Sequence, residues 1–226
     1  MKLLGSRPLE LILALTAAAA SSAMAQGGEP VGLDHIILHT GSLSLGSAAF
    51  ARLTGVTPVV GGRHPGRGTQ NALVSLGQGR YLELLAPLVD SGPAEPLRPE
   101  GWAVHTSDLT ALGERLRATD LLLSDPSPGS RRLPSGGLLT WSVANLSGDD
   151  SPAIPFFIQW GTAVAHPSTT SPTGCSLVGF QITVPDTARL GRLAAALTLP
   201  IQVRAGPVAA TTVTLRCPRG EVRFTG

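Results

Sequence analysis

Leu33-Asp34-His35-Ile36-Ile37-Leu38-His39 and Tyr81-Leu82-Glu83-Leu84-Leu85-Ala86 are the two runs on which the rest of the chain turns. With the two-residue repeat of a strand, His35, Ile37 and His39 fall on one side of the first run and Ile36 and Leu38 on the other. In the second run Tyr81, Glu83 and Leu85 oppose Leu82, Leu84 and Ala86. The intervening run Gln70–Leu76 places Asn71 and Ser75 opposite Ala72, Val74 and Leu76. Each strand therefore has an apolar back and a front that carries ionisable or polar groups, as a sheet with one buried face and one working face requires.

Between these runs, Thr40-Gly41-Ser42 offers capping chemistry for a short helix with Leu45, Ala49 and Leu53 as its stripe and Gly55 at its end. Pro58 to Gly62 reads as a short strand, and Gly61 to Gly68 as a glycine-rich loop holding Arg63, His64 and Arg67. Gly77-Gln78-Gly79 is a hairpin turn.

The order then repeats. Trp102 to Thr106 is a strand, Ser107-Asp108 caps a helix marked by Leu109, Leu112 and Leu116, and Leu138–Asn145 and Pro155–Trp160 are later strands. Ser124 to Pro134 between them is a loop with one edge strand. Trp102, Trp141 and Trp160 are expected to pack this second unit. A third, shorter copy begins near Leu177, with Phe180, Ile182 and Val184 alternating against Gln181 and Thr183. Its helix carries Leu190, Leu193, Ala194 and Leu197, and strands follow near Ile201, Thr211–Arg216 and Glu221–Phe224. The expected organisation is an α+β fold of repeated βαβββ units at residues 31–88, 100–162 and 175–226, with cupped mixed sheets and helices on the convex face.

Residues 1–25 are set apart from this fold. Lys2 and Arg7 precede the apolar stretch Leu11–Ala20, and Ala23-Met24-Ala25 has the small-x-small form of a cleavage site, so a secretory signal peptide and a periplasmic or secreted mature protein are expected. The stretch is too short for a stable membrane span. Removing Lys2, Arg7 and Glu10 changes the formal charge from +2 to +1. That near-neutral body, with scattered arginines, lacks the basic stripe of a nucleic-acid binder. Cys175 and Cys217 are open to two readings, an oxidised pair in an exporting compartment or two small buried hydrophobes.

Leu33-Asp34-His35, the segment Gly61-Gly62-Arg63-His64-Pro65-Gly66-Arg67-Gly68-Thr69-Gln70-Asn71-Ala72-Leu73, and Tyr81-Leu82-Glu83-Leu84 together resemble the glyoxalase-like domain group of the vicinal-oxygen-chelate superfamily. That resemblance implies two units pairing into a cup, with a divalent metal held by residues of first and fourth strands. It places His35 and Glu83 as metal ligands or as catalytic acid and base. Strands roughly 4.8 Å apart would let both reach one ion, and both donor types suit zinc, manganese or iron. His39 lies about 13 Å further along the strand, too far to share that ion.

For the other half of a metal site, alignment of the helix caps places Gly101 opposite His35, and alignment of the fourth strands places Gln159, a weak neutral ligand, opposite Glu83. If the third unit were the partner, Gly179 and Arg223 would stand there, and Arg223 repels a cation. The cofactor is thus a divalent metal or none. Arg63, His64 and Arg67 suit a carboxylate or phosphate on a ligand, and Asn71 and Tyr81 complete the substrate-binding set. Glu83, in an inner strand, needs a partner, be it a metal, His35 or an arginine.

The expected partner is a small polar or anionic molecule bound in the cup, with lyase, isomerase or dioxygenase-type chemistry. The alternatives are metal-free sequestration of the bleomycin-resistance type and a non-catalytic interaction module. A homodimer is the assembly considered. No nucleophile elbow, Cys-x-x-Cys pair or dinucleotide fingerprint is present.

Overall fold

The computed structural model describes residues 31–89, 96–134, 136–148, 151–163 and 165–226; the signal-peptide reading falls outside them. The first unit runs β1 (Gly32–His39), α1 (Leu43–Thr54), β2 (Val59–His64), β3 (Thr69–Gly77) and β4 (Arg80–Pro87). Ser42 caps α1, its hydroxyl accepting from Leu45 N at 3.4 Å, and Gly55 ends it in the left-handed region at φ 82°. The second unit repeats the order with β5 (Arg98–His105), α2 (Leu109–Arg117), β6 (Ser127–Arg132), β7 (Leu138–Asn145) and β8 (Phe156–Trp160). Asp108 caps α2 by accepting from Thr110 N and Ala111 N.

One expectation about α1 is corrected. Its buried face is Leu43, Gly46, Phe50 and Thr54, whereas Leu45 and Leu53 are each 47% exposed. Phe50 offers the largest apolar surface, and Gly46 lets the helix approach Thr40 so closely that a Cβ there would lie 2.6 Å from the threonine side chain. The helix therefore rotates to bury the aromatic ring rather than the leucines.

The two units form one eight-stranded sheet in the order β2-β3-β4-β1-β5-β8-β7-β6. The first strands of each unit meet antiparallel at its centre, while β1 runs parallel to β4 and β5 parallel to β8. Units one and two are thus the pair that makes the cup. Ile36, Leu38, Leu82 and Leu84 cover its back together with Phe50 and Leu109. Its ends curl until β2 and β6 nearly meet. There the Arg131 guanidinium donates to the Gly61 carbonyl, and Gly62 at φ 147° lies so close that a Cβ would sit 2.9 Å from the Arg132 carbonyl.

After the short helix α3 (Pro167–Thr170) come β9 (Ser176–Val184), α4 (Ala188–Leu197), β10 (Gln202–Ala205), β11 (Ala210–Cys217) and β12 (Gly220–Thr225). The element order is that of a third unit, but the strand order is β10-β9-β11-β12, with β10 parallel beside β9. This smaller sheet joins the common core through its apolar face. Phe180 meets Trp102 edge-on at 5.3 Å and Phe224 stacks on Phe50 at 6.0 Å. Cys175 and Cys217 are joined in a disulfide, which resolves the two readings of these residues. Among the described residues no helix is long and apolar enough to cross a membrane.

Candidate functional site

The front of the curled sheet encloses about 600 Å³ of empty space, counted to its open mouth. The first unit supplies the polar wall: His35, Asn71, Tyr81 and Glu83 from three adjacent strands, with His64 and Arg67 toward the rim. The second unit supplies Trp141, Val143, Phe156, Ile158 and Trp160, an apolar and aromatic wall, and one cation, Arg131. Alternation along β1, β3 and β4 puts the first set on the same face, as the sequence pattern requires.

Asp34 breaks that alternation. In the β1–β5 ladder Leu33 faces Val104 and His35 faces Ala103, so Asp34 is the extra residue of a bulge. Its carboxylate, only 1% exposed, consequently turns toward His35. Oδ1 lies 2.6 Å from His35 Nδ1, and Oδ2 accepts from Trp160 Nε1 at 3.0 Å and from His166 at 3.2 Å. Burial alone would raise this carboxyl's pKa; the hydrogen bonds it accepts from His166 and His35 oppose that and the group is held far below the usual carboxylate range.

The other ring nitrogen, His35 Nε2, faces Glu83 Oε2 at 3.6 Å, while Asn71 Nδ2 donates to Glu83 Oε1 at 2.6 Å. Tyr81 stacks on the His35 ring at 4.6 Å. Burial pushes the Tyr81 phenol well above its ordinary value, with Asp34 and Glu83 adding to the shift. His64 meets Trp141 edge-on at 6.0 Å, and burial lowers its pKa against the opposing pull of Glu83. Arg131 is 5% exposed, and among the described residues no carboxylate lies within 4 Å of it. Burial lowers its pKa, while Tyr81 and Glu83 act to raise it.

Of the residues singled out from sequence, His35, His64, Arg67, Asn71, Tyr81 and Glu83 all line the cup. Arg63 does not; it is exposed in the β2–β3 ladder opposite Gln70. His39 points to Glu100 at 3.6 Å rather than to the cup lining. Gln159 lies on the other face of β8, where its Oε1 accepts from Leu109 N at the start of α2.

The register explains the Gln159 error. His39 pairs with Leu85, whose carbonyl takes Thr40 N, and His105 pairs with Ile158, whose carbonyl takes Thr106 N. Leu85 and Ile158 therefore correspond, so Glu83 matches Phe156 and Gln159 matches Ala86. The sequence alignment was off by three, an odd number, which reverses the face.

This bears on the metal that the family resemblance implies. His35 and Glu83 are two donors, and the positions that would complete the set are Gly101 and Phe156. Among the described residues no three His, Cys, Asp or Glu side chains stand where they could share an ion. A buried guanidinium lines the same cup. These residues do not fit a resident divalent metal.

Sequence reasoning missed Asp34, Arg131, Trp160, Trp141 and His166 as site residues. Asp34 beside His35 was a visible signal, since a carboxylate in an inner strand needs donors. Nothing local marks the other four, which reach the site from 96 or more positions beyond His35.

Comparison with known proteins fits this architecture. No curated protein sequence matches the chain closely enough to count as a relative. Among solved structures, a hypothetical protein from Staphylococcus aureus is 17% identical, with 86% of this chain and 98% of that chain covered and a TM-score of 0.65. Methylmalonyl-CoA epimerase from Mycobacterium tuberculosis is 20% identical over 59% of this chain and 89% of that chain, with a TM-score of 0.41. The Streptomyces coelicolor methylmalonyl-CoA epimerase, solved with 2-nitronate-propionyl-CoA, is 18% identical over 60% and 97%, also with a TM-score of 0.41. For the Staphylococcus aureus protein, at that identity, the likeness is one of fold. A profile of the glyoxalase-like domain matches residues 33–198, and the chain therefore belongs to the glyoxalase-like domain family.

Proposed function

We propose that the cup binds a small anionic molecule with a flat apolar body and a carbonyl group, and that His35 and Glu83 move a proton on it. The observation that carries this reading is the pairing, in one cup, of a buried guanidinium with a buried imidazole–carboxylate couple. Arg131 would take the ligand's anionic group by charge-assisted hydrogen bonds. The body would lie against Trp141, Phe156 and Trp160. Because Asp34 holds the proton on Nδ1, the neutral His35 ring has its Nε2 lone pair free to accept a proton from a carbon beside the carbonyl. Glu83 Oε2, at 3.6 Å from Nε2, is close enough for one ligand atom to touch both groups, and Asn71 fixes its orientation. Negative charge that develops on the ligand would be met by Arg131. No step passes through a metal, in keeping with the donor set.

Phenylpyruvate has the required ring, carboxylate, carbonyl and acidic carbon, and serves as a probe. The protein should bind it by calorimetry and speed exchange of its methylene protons in deuterated water, followed by NMR. A His35→Asn variant should lose that acceleration by about 100-fold or more, the usual worth of a general base. Binding without acceleration would favour the sequestering alternative, which the apolar wall of the second unit also suits. Absence of binding to phenylpyruvate, benzoate and pyruvate would sink the anion reading.

We further infer export to an oxidising compartment. The Cys175–Cys217 disulfide supports it, because such bonds persist there and are rare in reducing cytosol. Mass spectrometry of the mature N-terminus checks this, and an intact Met1–Ala25 segment on exported protein would count against cleavage.

A further inference from the structure

The buried Asp34 carboxylate gathers one donor from its own strand and two from distant parts of the chain. His35 Nδ1 is its neighbour on β1, Trp160 Nε1 comes from the end of β8, and His166 Nε2 comes from the strap that leads to the smaller sheet. His105 Nδ1 also faces it, at 3.8 Å, beyond hydrogen-bond length. The strap is itself tied down: Ser75 N on β3 donates to the Pro172 carbonyl at 2.8 Å.

The tautomers along this line follow from its donors and acceptors. Ser168 N, a backbone group that can only donate, points at His166 Nδ1 at 3.2 Å. Nδ1 of a neutral His166 is therefore the acceptor, and its proton sits on Nε2, facing Asp34 Oδ2 at 3.2 Å. Trp160 Nε1 can only donate and takes the same oxygen at 3.0 Å. With Oδ2 doubly engaged, Oδ1 at 2.6 Å is left for His35 Nδ1, which must carry a proton to make that bond. In a neutral His35 ring Nε2 is then bare on the cup side, where Glu83 Oε2 lies 3.6 Å away. Tyr81, stacked on His35 at 4.6 Å and edge-on to His166 at 5.6 Å, holds the ring planes in this order.

From this arrangement we infer that His166 is a positioning residue for the His35 base, acting through Asp34, with Trp160 as the second anchor of the same carboxylate. The inference rests on the proton-transfer reading of the cup for its purpose, but not for its test. It assigns a role in the site to the strap between the cup and the smaller sheet. Asp34 itself stays ionised and does not carry the proton; it fixes which nitrogen of His35 is basic.

The test is NMR of the full chain with 15N-labelled histidine and no ligand, comparing wild type with His166→Ala, His166→Gln and Trp160→Phe. In wild type His35 should show a single Nδ1–H form with a slowly exchanging proton. His166→Ala should turn this into a mixture of tautomers and quicken exchange of the Nδ1 proton roughly tenfold, the ratio commanded by one lost hydrogen bond. In His166→Gln the side-chain amide can donate to Asp34 in place of the imidazole, so the single form should return. Trp160→Phe keeps an aromatic ring but loses the pyrrole part of the indole and with it the N–H that reaches Asp34, and should move His35 in the same direction as His166→Ala.

A melting temperature that falls in His166→Ala while the His35 signals stay as in wild type would reduce His166 to a strut and overturn the inference. So would unchanged His35 signals in Trp160→Phe, which serves as the deciding variant if His166→Ala does not fold. If the tautomers respond as described but wild type fails to exchange phenylpyruvate protons, the positioning stands and the proton-transfer reading falls by itself.

Discussion

Replacing Arg131 with Met separates what the cup needs for its ligand from what it needs to fold. Arg131 is 5% exposed and has the Gly61 carbonyl as its acceptor across the gap between β6 and β2. Met keeps most of the apolar stem and removes the charge. Losing one hydrogen bond to a charged donor costs about 1.5–3 kcal/mol, but the variant no longer buries a guanidinium without a close carboxylate, which recovers a similar amount. The two nearly cancel, so stability should change by about 1 kcal/mol or less, some 2–4 °C in melting temperature for a chain of this size.

Ligand binding has no such compensation. Loss of the charge-assisted contact to a carboxylate should weaken phenylpyruvate by about 1.5–3 kcal/mol, or roughly 10- to 150-fold. Calorimetry with phenylpyruvate and with the neutral ketone phenylacetone measures this, since only the anion should lose affinity. Equal losses for both ligands, or none for phenylpyruvate, would refute the anchor role. A stability loss above about 3 kcal/mol would show instead that Arg131 serves chiefly as a latch between the two edge strands.

Three further outcomes are expected. The depressed pKa of Asp34 contributes stability that is fully present above the unfolded value near 4 and is lost as pH falls below it; the gap in melting temperature between wild type and Asp34→Asn should therefore narrow below about pH 4, and a constant gap would contradict the pairing. The Cys175–Cys217 bond, with a sequence separation of 42, restricts the unfolded chain by about 4 kcal/mol on a loop-entropy estimate, so a Cys175→Ser/Cys217→Ser variant should melt roughly 8–16 °C lower, and a difference under about 3 °C would count against that account. In Gly61→Ala the new Cβ would stand 2.5 Å from Asn71 Oδ1 and 2.8 Å from Leu73, so denaturant unfolding should register a loss of about 1–3 kcal/mol, with unchanged stability as the contrary result.

The chain's local patterns determined a good deal by themselves. Period-two alternation put His35, Asn71, Tyr81 and Glu83 on one face, because side chains of a regular strand must alternate and the apolar set must turn to the core. Capping residues and glycines marked both helices of the cup units, and repetition of the element order marked two units of one architecture. Where a pattern was read too simply, physics explains the miss: the leucines of α1 gave way to Phe50, whose burial removes more apolar surface from water.

Tertiary structure decided the rest. A one-residue bulge, set by pairing with β5, turned Asp34 toward His35. The register of β8 against β5, rather than any feature of β8 alone, put Phe156 opposite Glu83 and sent Gln159 to α2. Arg131, Trp160 and His166 reach the site only because the sheet curls and the strap crosses back over it. Such long-range registers depend on which surfaces meet, and a local pattern cannot encode that meeting. The sequence alone thus specified the polar face around His35 and Glu83; the fold specified its partners, an arginine across the cup and a carboxylate that Trp160 and His166 hold from a distance.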